Sequence, residues 1–255
     1  MKKQDKTQRK FRKGGTILVA VIILLIIGLM IVIGSNSNGK DYYSPASKVE
    51  QMKSTIIEDS ETIGWINVQG TDIDYPVVYE TNLVYQGLKD YLWLSNRYIE
   101  GNNRIAIFGH NIRNVSSKPL IKEKGHVRFE QLLSFVYYDF AKDNLYIQYS
   151  HDNKDELYKI YAIGFYEQDE DVGDSLTDSE EIKEYIKDAK ENSIYDYKVS
   201  VNEDDFLISL ATCTRFFGAD GKTAFRIDAR KVRVGEKINK YRVQKSKNYD
   251  MLNLE

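Results

Sequence analysis

Seven stretches of the chain are dominated by strand-forming residues in largely alternating runs: GWINVQG (64–70), IDYPVVY (73–79), RIAIFGH (104–110), LYIQYS (145–150), LYKIYAIGFY (157–166), DFLISLATC (205–213) and FRIDARKVRV (225–234). Alternation with a period of two is the mark of a half-buried strand. The 19 Tyr and 10 Phe of the chain fall largely in such runs, where aromatic and β-branched side chains fit a pleated surface. Two other segments carry a helical period. SKVEQMKSTIIEDS (47–60) spaces Val49, Met52 and Ile56 along one face, and SEEIKEYIKDAKEN (179–192) does so with Ile182, Tyr185, Ile186 and Ala189. The second opens at Ser179 with acids in its first turn, as a helix start should. FEQLLSF (129–135) reads as a third, short helix. Many strands and few helices predict a mainly β domain, a mostly antiparallel barrel or sandwich of seven or eight strands with helical decoration.

Ahead of these lies TILVAVIILLIIGLMIVIG (16–34), 19 residues with no charge and no period. As a helix rising about 1.5 Å per residue it would extend about 28 Å, close to the thickness of a bilayer's hydrocarbon core. Residues 2–13 hold seven Lys or Arg against one acid, Asp5. A basic flank of this kind stays cytoplasmic, which predicts a tail over 1–15, an uncleaved transmembrane signal-anchor over 16–34, and the rest of the chain outside as a single-pass type II protein. A cleaved signal peptide is the rival, since small residues follow at Gly34 and Ser35, but its apolar core would normally be about 7–15 residues long. SNSNGKDYYSPAS (35–47) is polar and reads as a linker, leaving 48–255 as one extracellular domain.

The formal charge of −2 hides an asymmetry: with +6 in residues 2–13, the remainder carries −8. No basic face for nucleic acid is indicated. The three histidines lack metal-ligand spacing and no phosphate-cradling Gly-rich loop is present, so neither a metal nor a nucleotide cofactor is expected.

Cys213 is the single cysteine, and an exported chain offers it no internal partner. It is then an inert buried thiol, half of an intermolecular bridge, or a nucleophile. It ends the apolar run FLISLATC and precedes the Gly-rich FFGADGK, a strand-to-loop rim where reactive groups are commonly mounted. A nucleophilic thiol needs a base or cation beside it. His151 lies in the polar turn SHDNKDE and His126 in the loop EKGHVRF, whereas His110 ends the strand RIAIFGH between Gly109 and Asn111 and is the best-placed base. An attacked carbonyl develops an oxyanion that a fixed cation must meet. Arg226, Arg230 four residues on, and Arg215 all lie near the cysteine in sequence, and each reads equally as a solvated charge. From these residues the chain is either a cysteine-dependent acyl-transfer enzyme or an anchored binding protein with an inert thiol.

The ordered set of anchor, IFGHN (107–111), SLATC (209–213) and a downstream Arg strand resembles the sortases, whose pattern is a strand ending in His, then T-L-x-T-C, then Arg. IGWINVQGTDIDYPVVY (63–79) and the helix running into NSIYDYKVSVNEDDFLISLATC (192–213) are similar to class B in particular, so the resemblance covers about residues 45–235. It implies a closed β-barrel of seven to eight strands, with an N-terminal helix and a helix before the Cys strand. It also implies a cofactor-free cysteine transpeptidase, with Cys213 as the acyl-forming nucleophile, His110 as acid/base and Arg226 as the transition-state arginine. Thr212, Ala211 and Asn111 fall where substrate contacts are expected. The implied substrate is a C-terminal sorting motif of a secreted protein, of the N-P-x-T-x kind, selected by the 166–204 region. The implied acceptor is an amine of a lipid-linked peptidoglycan precursor at a Gram-positive-type cell surface; the alternatives are a pilin amine, or water in a peptidase. Two departures stand out. Ser209 replaces the Thr that opens the motif, and Ala211 the Ser that class B enzymes often carry. The segment 112–135 after the histidine is also longer than expected, and would cover the site or bind a partner.

Overall fold

The computed structural model describes residues 41–57, 60–79, 91–95, 100–168, 175–176, 178–219 and 222–254. The predicted tail, the membrane-spanning segment and the first part of the linker lie outside them; among the described residues no helix is long and apolar enough to cross a membrane.

Helix α1 (Val49–Ser54) leads into a two-stranded ribbon, β1 (Ile56–Ile57) and β2 (Ser60–Glu61). The helix expected over 47–60 is thus cut short, because Thr55 turns extended (φ −96°, ψ 119°). Thr55, Ile56 and Ile57 are all β-branched, and such a run loses side-chain freedom in a helix. The barrel strands follow: β3 (Gly64–Val68), β4 (Asp74–Tyr79), β5 (Leu92–Leu94), β6 (Arg104–Phe108), β7 (Tyr146–His151), β8 (Lys154–Glu167), β10 (Leu207–Thr214) and β11 (Thr223–Lys231). They close in the order β10-β11-β8-β7-β3-β4-β5-β6. Pairing is antiparallel except for β4 with β5 and β6 with β10, which run parallel. Strand β5 was not among the seven predicted, yet it bridges β4 and β6 and so completes the ring. A separate ribbon pairs β9 (Tyr195–Tyr197) with β12 (Val243–Lys245).

The barrel interior is filled by side chains from alternate strand positions, among them Ile66, Ile107, Ile163, Ile208, Leu210, Phe225 and Ile227, all fully buried. Each contributes roughly 1.5–3 kcal/mol through burial. FEQLLSF forms a 3-10 helix (Arg128–Val136) in which every residue is buried, followed by α2 (Tyr138–Ala141). Helix α3 (Ser179–Asn192) forms over the predicted span, but its cap is Asp178, whose carboxylate accepts from the backbone N–H groups of Glu180 and Glu181. It buries Ile182, Ile186 and Ala189 and packs on the outside of the barrel beside β8. From there its Tyr185 hydroxyl reaches Ser209 of β10 and Asp228 of β11.

Candidate active site

Cys213 is the penultimate residue of β10. Across the antiparallel seam it faces Ala224 of β11, and Ala211 faces Arg226. On the other flank Ala211 is in parallel register with Phe108 of β6. Two residues beyond Phe108 the chain reaches His110, level with Cys213. Its course is held by the Gly109 N–H donating to the Ala211 carbonyl (3.3 Å) and by the Thr212 hydroxyl donating to the Gly109 carbonyl (2.6 Å). Partners in register share a face of the sheet, so His110, Cys213 and Arg226 fall on the outer face at one end of the barrel. Cys213 and Arg226 are diagonal neighbours, a relation that sets backbones roughly 7–8 Å apart.

Each group has a distinct environment. Cys213 is exposed, yet the protein on its other side desolvates the thiolate and pushes the thiol above its ordinary value. The His110 ring lies against Trp93 of β5, centroids 4.9 Å apart and tilted by 52°, and its carbonyl accepts from the Phe129 N–H (3.2 Å). Gly109 leaves no room for a side chain: a Cβ there would stand 2.5 Å from Leu92 Cδ2 and 2.7 Å from Phe129 Cδ2. Arg226 is only 3 % exposed. Its guanidinium carbon lies 3.5 Å from the centroid of Tyr166 and 4.8 Å from that of Tyr185, and its Nε donates to Asp228 Oδ2 (2.8 Å). Burial alone would push this guanidinium down, but Asp228 together with Tyr185 and Tyr166 more than offsets it and the net shift is upward. Nη2 has no hydrogen-bond partner among the described residues. Asp228 also accepts from Tyr185 Oη (2.5 Å) and Ser209 Oγ (2.7 Å).

The other candidate arginines are placed differently. Arg230 is opposite Leu207, six residues back along β10 from Cys213, roughly 20 Å at about 3.3 Å per residue. It is engaged by Glu236 and the Ser200 carbonyl. Arg215 is exposed in the loop after β10, its backbone N–H bonded to the Val115 carbonyl (3.1 Å). His151 bonds Glu156 and Asp152 in the β7–β8 turn, and His126 lies in the insert that follows His110.

Among curated proteins the chain is 21 % identical to sortase B of Staphylococcus aureus over 218 residues, covering 77 % of this chain and 87 % of that one. It is 23 % identical to sortase B of Listeria monocytogenes over 172 residues, covering 61 % and 63 %. The fold matches a solved Staphylococcus aureus sortase B–substrate complex with a TM-score of 0.57 at 15 % identity, over 74 % of this chain and 84 % of that one. No family model matches the sequence. In sequence and in fold the chain is similar to class B sortases. That similarity supports a sortase-type cysteine transpeptidase as its reaction class.

In this chain the positions expected to touch substrate are drawn into the frame of the site. Asn111 is buried, its amide bonded to the Asn114 carbonyl (2.9 Å) and its oxygen to the Asn114 N–H (3.0 Å). Thr212 is 3 % exposed, with its hydroxyl spent on Gly109, and Ala211 is 1 % exposed. Ser209, the departure from the sortase motif, bonds Asp228, Tyr185 and Arg104 Nε. Trp93, Tyr166, Tyr185 and Asp228 were missed by sequence reasoning. The usable signal for the last was the alternation of Arg226, Asp228 and Arg230 on one strand face.

Proposed function

We propose that this chain is a membrane-anchored transpeptidase whose chemistry is carried by Cys213, His110 and Arg226. It would act outside the cell on the C-terminal sorting motif of a secreted protein. Burial holds the resting thiol protonated at neutral pH, so attack requires that a base take the proton. His110, level with Cys213, is the group to do it. The sulfur adds to the motif's carbonyl carbon, and Arg226, the diagonal neighbour of Cys213 across the β10–β11 seam, supplies the positive charge that meets the resulting oxyanion. The C–N bond then breaks, His110 returns its proton to the leaving amine, and a thioester remains. An incoming amine attacks the thioester, loses a proton to His110, and the thiol departs reprotonated. The acceptor in this reading is an amine of a lipid-linked peptidoglycan precursor. Anchoring by 16–34 would hold enzyme and acceptor on one surface and raise their effective concentration.

The observation that supports this most is the register of β10 with β6 and β11, which brings three sequence-distant candidates to one end of one face. Incubating the chain with a panel of sorting-motif peptides should give a mass adduct on Cys213, lost in Cys213→Ala and nearly lost in His110→Ala. Products with and without an added amine separate transfer from hydrolysis. An adduct that survives Cys213→Ala, or none with any peptide, would remove the proposal.

A further inference from the structure

The insert after His110 displays exposed aliphatic and cationic side chains together. Ile112, Leu120 and Ile121 are 48 %, 53 % and 49 % exposed, and Lys118, Lys122 and Lys124 beside them are exposed as well. Residues 112–125 hold four cations against the single acid Glu123, in a domain whose charge is otherwise strongly negative. Arg113 is turned inward to the fully buried Glu130 and Lys122 is 3.6 Å from Asp72, so Lys118 and Lys124 carry the outward charge that no ion pair among the described residues offsets. The insert is braced. Asn114 Nδ2 donates to the Leu120 and Glu130 carbonyls (3.0 and 2.8 Å), the Leu120 N–H to Asn114 Oδ1 (2.7 Å), and the Lys122 N–H to Ser134 Oγ (3.0 Å). Adjacent large aliphatics held outward among lysines have the composition of a surface that lies in a lipid interface.

Its location agrees with that chemistry. Lys122 Nζ is 3.6 Å from Asp72, in the turn between β3 and β4. The same turn receives the Leu145 N–H on Gln69 Oε1 (2.7 Å), and the neighbouring Asp143 carbonyl accepts from Tyr42 Oη (2.8 Å). Tyr42 begins the compact unit. Only residues 35–41 separate it from the apolar segment 16–34, a reach of at most about 25 Å. At its other side the insert is joined to the loop after Cys213 by the Arg215–Val115 hydrogen bond.

We propose that residues 112–125 form a membrane-contact surface. Ile112, Leu120 and Ile121 enter the headgroup region of an anionic bilayer, while Lys118, Lys122 and Lys124 meet the lipid phosphates. The contact holds the Cys213 end of the barrel at the lipid surface, where a lipid-linked acceptor would arrive. This rests on the reading that 16–34 anchors the chain. Each lysine near an anionic surface favours contact by about fivefold.

The test uses the full chain carrying Cys213→Ala, so that an introduced cysteine is the only thiol. A nitroxide is placed at Ile121→Cys or, as control, at Val234→Cys, a fully exposed site in the turn after β11. Flotation with vesicles reports the anchor. In vesicles containing phosphatidylglycerol, the label at 121 should become accessible to oxygen and shielded from a water-soluble nickel chelate, while the label at 234 stays aqueous. Pure phosphatidylcholine, or Lys118→Glu with Lys122→Glu and Lys124→Glu, should return the label at 121 to water. A chain that floats with its 121 label aqueous in anionic vesicles overturns the contact surface and leaves the anchor standing. Immersion that ignores lipid charge overturns the role of the lysines. A chain that does not float overturns both readings.

Discussion

Replacing Asp228 by Asn would separate the charge of the arginine cage from its shape. Asp228 is fully buried and takes three hydrogen bonds, from Arg226 Nε, Tyr185 Oη and Ser209 Oγ. Asn keeps the volume but removes the carboxylate that, among the described residues, bonds Arg226, a guanidinium that is 3 % exposed. Breaking a buried ion pair from one side costs about 3–5 kcal/mol, because a desolvated charge is left uncompensated. With a urea m-value of about 2 kcal/mol/M, the unfolding midpoint should fall by about 1.5–2.5 M. The assay is urea unfolding of wild type and Asp228→Asn in the same detergent, followed by near-ultraviolet dichroism of the aromatic cage. Neutralising both partners, as Arg226→Met with Asp228→Leu, should recover most of the loss and still form no acyl-enzyme. A loss below about 1 kcal/mol in Asp228→Asn would refute the reasoning, since it would mean that water already compensates Arg226.

Three further outcomes are expected. Trp93→Ala should cost about 3–5 kcal/mol of stability and lower kcat/KM through a displaced His110, while Trp93→Phe retains most of both; equal activity in Trp93→Ala would dissociate the ring from the histidine. Burial pushes Glu156 upward, but hydrogen bonds from His151 and Lys231 outweigh it and lower the carboxyl to about 2, while the Glu156 bond raises His151. The stability difference between wild type and Glu156→Gln should therefore fade as pH falls from about 4.5 toward 2 and shrink as pH rises past the raised His151 value, with the Lys231 part persisting above. A difference flat from pH 3 to 9 would contradict it. Alkylation of Cys213 by iodoacetamide should accelerate with pH through an inflection above the ordinary thiol range, as its desolvation requires; an inflection below about 8 would mean a stabilised thiolate.

Where the chain's local pattern and its tertiary environment agree, the sequence was enough. Cys213 and His110 each end an apolar strand, and that alone placed them on a rim. Helix α3 was legible from Ile182, Ile186 and Ala189, which are the residues it buries. Strand β5 was not, because three residues in DYLWLSN are too few to establish a period. Trp93 was lost with it, and so was the support of the His110 ring. Local pattern actively misleads on β11. Arg226, Asp228 and Arg230 alternate with Phe225, Ile227 and Ala229, which is how a strand with one solvated face reads. Those polar residues are nevertheless almost fully buried. Around Arg226 and Asp228, α3 lays Tyr185 over the outer face, and Tyr166 stacks on the guanidinium from β8.

The two departures from the sortase motif take on different weights in this setting. Ser209 is one hydrogen bond from Asp228 and one from Tyr185. Its hydroxyl is therefore part of what fixes the Arg226 counter-ion rather than a group left facing substrate. A Thr hydroxyl could make the same bonds, but its extra methyl would enter a site with no exposure, packed under the Tyr185 ring and the Arg104 guanidinium that stacks 4.1 Å from it. Ala211 instead lies directly opposite Arg226, on the same face as the caged guanidinium. A Ser there would place a hydroxyl on the face that carries the guanidinium. In the proposed mechanism, Ala211 therefore leaves the Arg226 guanidinium without an intramolecular hydroxyl at position 211 to compete with the oxyanion.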